Sequence, residues 1–218
     1  CVPKHIKYLK DLFKNINQQT RKPYKVIVTL SSSDTNSCNL VKNLKPYLDK
    51  NIKLIVDCCS QKKNAASNRN RSLKHCLDVQ YISFMDADDE MSNNKLKIIT
   101  DLMIKYNADM GLHSLSNGDS KNKFSIGNKV YSPEQMKKIE KNDRKNLHIS
   151  NIIVCHGHST ITINLFKNHK QNENIKFGED SHYVRDTFKK NYRVAYTNAM
   201  LSSYYYKRST HSYGINKN

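Results

Sequence analysis

Four acids fall within five residues at Asp86-Ala87-Asp88-Asp89-Glu90, directly after the apolar run Tyr81-Ile82-Ser83-Phe84-Met85. Clustered carboxylate oxygens are hard ligands that suit Mg²⁺ or Mn²⁺, and a divalent cation held there would neutralise a pyrophosphate. Acids in this position also cap the helix that follows, and Asp89 or Ser92 could do so ahead of the run starting at Asn93. The preceding text favours the metal reading. Gln80 to Met85 reads as a short, mostly buried strand of the parallel-sheet kind, and ligands in such sheets bind beyond the carboxyl ends of the strands.

Other stretches also carry polar side chains in suggestive groups. Glu179 and Asp180 lie near the start of a helix, where acids are favoured by the helix dipole and cap backbone N–H groups, so alone they read as structural. Arg69 is a cation on a helical stretch, open to a surface role, and Asn70 is equally a packing residue between helix and loop. His156-Gly157-His158 brings two imidazoles together, but without Cys or carboxylate partners at ligand spacing a structural zinc site is not indicated.

These side chains need elements to position them. Ile6, Leu9, Leu12, Phe13 and Ile16 recur at helical spacing after Pro3, and Tyr24 to Leu30 reads as a β-branched strand. Leu40, Val41, Leu44 and Leu48 make a second helical face ahead of a strand at Ile52 to Val56. Ala65 to Cys76 makes a third helix ahead of the strand that carries the acids. Leu96, Ile99, Leu102 and Met103 form another helix, followed by a strand at Ala108 to His113. This alternation predicts an α/β fold with a parallel sheet and helices on its faces. Residues 116–128 are Gly, Ser, Asn and Lys with little apolar content, which reads as a flexible loop able to cover a site. Beyond it, Ser132-Pro133-Glu134 opens a helix and Thr160 to Ile163 alternates like an antiparallel strand. Ser181 to Lys190 is helical, and Arg193 to Tyr196 is a short strand.

At 218 residues the chain suits one sizeable α/β domain, with 37% hydrophobic residues gathered in periodic segments and a mean hydropathy of -0.77. The formal charge of +18 is either a solvated lysine coat or a surface for a polyanion. The basic residues are scattered and no aromatic-interleaved basic motif occurs, so nucleic acid is disfavoured as a partner. Cys1, Cys38, Cys58, Cys59, Cys76 and Cys155 show no C-x-x-C pair and no zinc spacing, which predicts free thiols in a reducing, cytoplasmic setting. No apolar run reaches transmembrane length and no signal peptide is visible. The first residue is Cys1, so upstream residues can be absent.

Read in order, Ala66-Ser67-Asn68-Arg69-Asn70-Arg71-Ser72-Leu73 and then Tyr81-Ile82-Ser83-Phe84-Met85-Asp86-Ala87-Asp88-Asp89 resemble the A-A-R-N-x-G to F-L-D-A-D-D passage of family 2 glycosyltransferases with the GT-A fold. Gly178-Glu179-Asp180-Ser181-His182-Tyr183-Val184-Arg185 is similar to the family's E-D segment at a helix start. The resemblance runs from about Pro3 to His211, is strongest from Lys25 to Tyr106, and thins across Ser114 to Asn151. It implies a Rossmann-like, mixed, mainly parallel central sheet flanked by helices, with a less regular acceptor-side C-terminal half. The whole of 1–218 would form one domain, with 1–113 holding the nucleotide sugar and 114–218 the acceptor.

The resemblance further implies inverting transfer of a sugar from a nucleotide diphosphate donor, a UDP- or GDP-sugar, to a hydroxyl of a glycan, glycoprotein or glycolipid. Asp88 would hold Mn²⁺ or Mg²⁺ against the donor phosphates, with Asp86 facing the ribose or the metal through water. Asp180 would be the general base that deprotonates the acceptor hydroxyl, and Glu179 would hold the acceptor. Pro3, Ser31, Asp34, Asp57, Arg69 and Ala87 complete the donor side, and His156, Gly157 and His158 line the acceptor side. Arg208 and His211 match a tail that closes over the donor, within reach of phosphate or metal. One departure concerns the base: where the family usually has D-D-G-S, this chain has Thr29-Leu30-Ser31-Ser32-Ser33-Asp34, leaving UDP and GDP both open. The alternatives are a catalytically silent GT-A-like module that binds glycan or anion and, less favoured, a nucleic-acid-binding protein.

Overall fold

A computed structural model describes residues 1–120, 123–142, 156–205 and 208. Helix α1 (Ile6–Asn17) forms where Leu9, Leu12, Phe13 and Ile16 repeat on one face, and all four are buried. Strand β1 (Lys25–Ser31) leads to helix α2 (Thr35–Lys42), whose first turn is capped by Asp34 accepting from Ser37 N at 2.7 Å. Strand β2 (Lys53–Cys59) pairs parallel with β1, setting Leu30 opposite Cys58 and Ser31 opposite Cys59. Helix α3 (Ala65–Arg71) is capped by Asn64, which accepts from Ser67 N at 2.9 Å, and it tightens into a 3-10 turn at Ser72–His75.

Strand β3 (Tyr81–Ser83) ends at the acidic turn, and strand β4 (Glu90–Met91) follows it. Helix α4 (Lys95–Lys105) packs on β5 (Met110–Asn117) so closely that a Cβ at Gly111 would lie 2.9 Å from side-chain carbons of Ile99 and Met103. Then come β6 (Val130–Tyr131), α5 (Pro133–Asn142), β7 (Thr160–Thr162), α6 (Ile163–Asn168), α7 (Glu179–Lys189) and β8 (Val194–Tyr204). These strands form a mixed sheet in the order β3-β7-β5-β8-β4, with β6 also on β8. The β5–β8 pairing is parallel, like β1–β2, and the other pairings are antiparallel.

Three expectations about elements change. Strand β3, read as a strand of the parallel-sheet kind, pairs antiparallel with β7 at the end of the strand order. The last strand was expected to stop at Tyr196 but runs to Tyr204, because β5 pairs along one edge while β6 and then β4 pair along the other. Those ladders bury Thr197, Ser202 and Ser203, whose polarity reads as loop in isolation. Residues 116–128, expected to be loop throughout, begin inside β5, and Ser125 forms a bridge with Met200.

The cysteine expectation also needs correction. Cys38 on α2 and Cys58 on β2 are disulfide-bonded across 20 residues, while Cys1, Cys59 and Cys76 are free among the described residues. Two of the six cysteines expected as free thiols are therefore paired, and Cys155 lies outside the described residues. Closing a loop of this length restricts the unfolded chain, so Cys38→Ser combined with Cys58→Ser is expected to cost about 3 kcal/mol. Urea unfolding of wild type and variant, each with and without reductant, checks this. Only the oxidised wild type should stand apart, and equal midpoints for all four samples would reject the bond's contribution.

Apolar residues divide between two main cores. One joins α1, α2, β1 and β2 through Leu12, Phe13, Leu30 and Val41, and reaches Ala87 and Met91. The other packs Phe84 with Leu112, Ile161, Phe166, Tyr183 and Tyr196. Helix α1 and a residue just past its end also clamp the chain after the acids: Asn15 Oδ1 accepts from Met91 N at 2.7 Å, while Gln19 donates to Ser92 O at 2.8 Å and accepts from Leu96 N at 3.1 Å. No described helix is long and apolar enough to cross a membrane.

Candidate active site

The short strand β3 pairs antiparallel with β7, and Phe84 N donates to Ser159 O at 3.0 Å. This pairing brings the 3-10 turn His156–His158, just before β7, alongside the acidic turn. His158 is buried, and its Nε2 lies 3.2 Å from Asp89 Oδ2 and 3.7 Å from Asp86 Oδ2. The other oxygen of Asp89 accepts from Tyr205 N at 3.0 Å, just past the end of β8. Asp86, Asp89 and His158 therefore bring three potential ligand atoms within 4.8 Å of one another. Asp89 does not cap α4, as one expectation had it, and Ser92 Oγ accepts from Asn94 N at 3.4 Å instead. The ring of His158, expected on the acceptor side, stands between two of the acids.

Arg69 is the cation of this site. Its side chain is 11% exposed, and it donates to Asp86 Oδ1 and Glu179 Oε1, both at 3.1 Å, and to Gln171 Oε1 at 3.3 Å. Burial would lower its pKa, but Asp86, Asp180 and Glu179 outweigh that and raise it. The three acids do not share one environment. Loss of solvent around it would raise the Asp86 carboxyl, yet Arg69 and His158 hold it well below the usual carboxylate range. Asp88 is pushed up to about 6 by burial and by the charges of Asp89 and Asp86, with His5 Nε2 4.0 Å away.

Helix α7 supplies the second set of carboxylates. Its N-cap, Gly178, has φ 69°, a left-handed conformation in which a side chain would be strained, and Asp180 Oδ1 accepts from Ser181 N at 2.7 Å. Gly157 lies where the two sets meet. A Cβ there would be 3.3 Å from Asp180 Oδ2, 3.5 Å from Arg69 Nη2 and 3.5 Å from Asp86 Oδ2. His156 Nδ1 lies 3.2 Å from Ser181 Oγ on the same side.

Several donor-side candidates are occupied elsewhere. Ser31 is buried, accepting from Asn68 Nδ2 at 3.0 Å and donating to Lys63 O at 3.4 Å. Asp34 caps α2 in solvent. Asp57 is buried beside Arg71 at 2.8 Å, Lys74 at 3.1 Å and His75 at 3.3 Å; burial raises its carboxyl, but Arg71 and Lys74 outweigh this and lower it. Pro3 opens a 3-10 turn, Pro3–His5, that carries His5 toward Asp88, and Ala87 packs in the core. Arg208 stacks on Tyr205 at 3.7 Å and its Nη1 lies 3.5 Å from Asp88 O, whereas His211 lies outside the described residues. His5, Asp89 and Tyr205 were missed as site neighbours. Only Asp89 carried a signal, as a member of the acid run.

The site thus joins an acidic turn at a strand end, a buried arginine and a facing carboxylate. The chain belongs to glycosyl transferase family 2, whose family model matches residues 4–171. That match takes in Arg69, the acidic turn and His156–His158, while Glu179 and Asp180 lie beyond it. Among curated proteins no sequence matches significantly. Among solved structures, S. aureus TarS 1-349 in complex with UDP is similar with a TM-score of 0.65 at 17% identity, over 94% of this chain and 60% of that one. The mannosyltransferase PcManGT from Pyrobaculum calidifontis, in complex with GDP-Man and Mn²⁺, gives 0.56 at 16% identity, over 86% and 50%. A UDP-glucose pyrophosphorylase complexed with UDP-glucose gives 0.52 at 14%, over 90% and 79%. At such identities these likenesses show the fold alone.

Proposed function

We propose that the chain is a metal-dependent inverting glycosyltransferase that moves a sugar from a nucleotide diphosphate to an acceptor hydroxyl. The observation that carries this reading is the convergence of Asp180, Arg69 and Asp86 on Gly157. It sets a carboxylate able to take a proton within reach of the cation and acids suited to a pyrophosphate. Asp180 accepts the proton of the acceptor hydroxyl as its oxygen bonds to the anomeric carbon. The bond from that carbon to the donor phosphate breaks on the opposite face, and the electron pair leaves with the nucleoside diphosphate. Arg69 stabilises the charge that develops there, while Gly157 keeps the space between base and donor clear of a side chain. Glu179, already bonded to Arg69, aligns the acceptor with His156.

The donor set fits a divalent cation. Asp86 is matched by Arg69 and Asp89 by His158, whereas burial and then the charges of Asp89 and Asp86 push the Asp88 carboxyl up. Asp88 would hold Mn²⁺ or Mg²⁺, with Asp86, Asp89 and His158 around it, and the cation would neutralise the departing diphosphate. UDP- and GDP-sugars are both proposed as donors, since one similar structure holds UDP and another GDP-Man with Mn²⁺. The acceptor is proposed to be a hydroxyl of a glycan, glycoprotein or glycolipid.

The likeness to a UDP-glucose pyrophosphorylase makes nucleotidyl transfer the second reading. One panel separates the two. Nucleotide sugars are tested for Mn²⁺-dependent thermal stabilisation, and any that bind are then incubated with pyrophosphate. Saturation near 100 times Kd stabilises by about 2.7 kcal/mol, or roughly 5–10 °C at this size. A UDP- or GDP-sugar that shifts melting only with Mn²⁺, and is not cleaved by pyrophosphate, supports the transferase. Release of UTP or GTP would favour the second reading, and stabilisation by polyanions alone would reject both.

A further inference from the structure

Residues 169–178 connect α6 to the helix that carries Asp180, and they are tied to α3 by side chains outside the site itself. Asn64, the cap of α3, donates from Nδ2 to Glu173 O at 2.7 Å and to Ile175 O at 3.3 Å. Asn70 meets the backbone of Gln171 reciprocally, accepting from its N–H at 3.0 Å and donating to its carbonyl at 2.8 Å, as a neighbouring strand would. The remaining hydrogen of Asn70 Nδ2 goes to Glu173 Oε1 at 2.9 Å, and Ser67 Oγ donates to Glu173 Oε2 at 2.5 Å. Ser67 and Asn70 stand one turn apart on α3, so both oxygens of Glu173 grip the same helix face.

The Glu173 side chain spans α3 and the connector on either side of Arg69. Arg69 lies on α3 between Ser67 and Asn70, and it reaches across to Gln171 and Glu179. A shift of the connector therefore moves Glu179 and Asp180 relative to Arg69 and Asp86, since α7 begins six residues after Glu173 (179 minus 173). Bonds from Ser67 and Asn70 lower the Glu173 carboxyl from its usual value, in keeping with a carboxylate that stays charged in this grip.

We propose that Glu173 is a positioning residue, latching α3 to the connector through Ser67 and Asn70 so that Asp180 is held against Arg69 for proton abstraction. The idea rests on the transferase reading above. It assigns Asn70 to the latch, and it gives Glu173 a role although its side chain lies outside the converging carboxylates. Displacement of a reacting group by about 1 Å can cost on the order of 100-fold in rate.

The test compares Glu173→Ala with Glu173→Gln. The alanine variant should lose kcat by between about 10- and 100-fold, with donor KM unchanged and an unaltered urea midpoint. Glutamine should restore most of the rate, because its Oε1 can accept from Asn70 and its Nε2 can donate to Ser67 Oγ. Amide hydrogen exchange across residues 172–182 should quicken about tenfold in the alanine variant and return to the wild-type rate with glutamine. If the wild type transfers no sugar, the transferase reading falls and the exchange arm alone decides the latch. Wild-type kcat in Glu173→Ala, equal impairment in both variants, or unchanged exchange across 172–182 would each overturn it.

Discussion

Asp180→Asn is expected to lower sugar transfer by roughly 10²- to 10⁴-fold while leaving Mn²⁺-dependent donor binding intact. Among the described carboxylates at the Gly157 convergence, Asp180 can accept a proton without first giving up an ion pair to Arg69, whereas Asp86 and Glu179 are both bonded to it. An amide cannot take that proton, so the acceptor oxygen would attack as a poor, protonated nucleophile. The same amide can still accept from Ser181 N, as Asp180 Oδ1 does at 2.7 Å, so the first turn of α7 has no reason to unwind. Steady-state transfer and donor binding by calorimetry, measured side by side, check the separation. Full transfer activity in the variant would falsify the assignment, and a joint loss of donor binding and fold would make Asp180 a structural residue.

The second large effect concerns the acidic turn. Asp88→Asn is expected to weaken Mn²⁺ binding by about 100-fold or more, and with it donor binding, because even outer partners of a metal site cost 10- to 100-fold when removed. The same change should stabilise the metal-free protein. The Asp88 carboxyl lies at about 6 in the folded chain against an ordinary 3.8, so its ionisation opposes folding. That penalty is absent below pH 4, grows as pH rises toward 6, and is complete above it, reaching about 3 kcal/mol at ~1.4 kcal/mol per pH unit. Without metal at pH 7.5, urea unfolding should therefore place Asp88→Asn above wild type, and the gap should close toward pH 4. Addition of Mn²⁺ should raise the wild type and leave the variant unmoved. A variant that binds Mn²⁺ like wild type would remove Asp88 from the proposed ligand set.

Much of the first half was legible because its signals are local. The periodicity of Leu9, Leu12, Phe13 and Ile16, the β-branched runs and the order of Arg69 ahead of the acids depend only on near neighbours. The position of Asp180 at a helix start was equally readable. What escaped was set by distant pairing. Asp89 could not be told from a capping residue until His158 and the N–H of Tyr205, 116 residues away, were seen at its two oxygens. Ser31, Asp34 and Asp57 stand where donor contacts were expected, but their partners were hidden. Asn68 and Arg71 both come from α3, which follows β2 rather than β1, and Asp34 is taken up as the cap of α2. The Cys38–Cys58 bond depends on the register of α2 over β2, which no spacing rule supplies.

Phe84 packs into one main core, whereas Ala87 and Met91 pack into the other. The acidic turn is thus a mechanical bridge, anchored at each end in a different packed body. A small shear between those bodies would be transmitted to Asp86, Asp88 and Asp89 rather than absorbed, because close-packed interiors deform little. Substitutions in either core, far from the acidic turn, are therefore routes by which affinity for the proposed cation can be tuned.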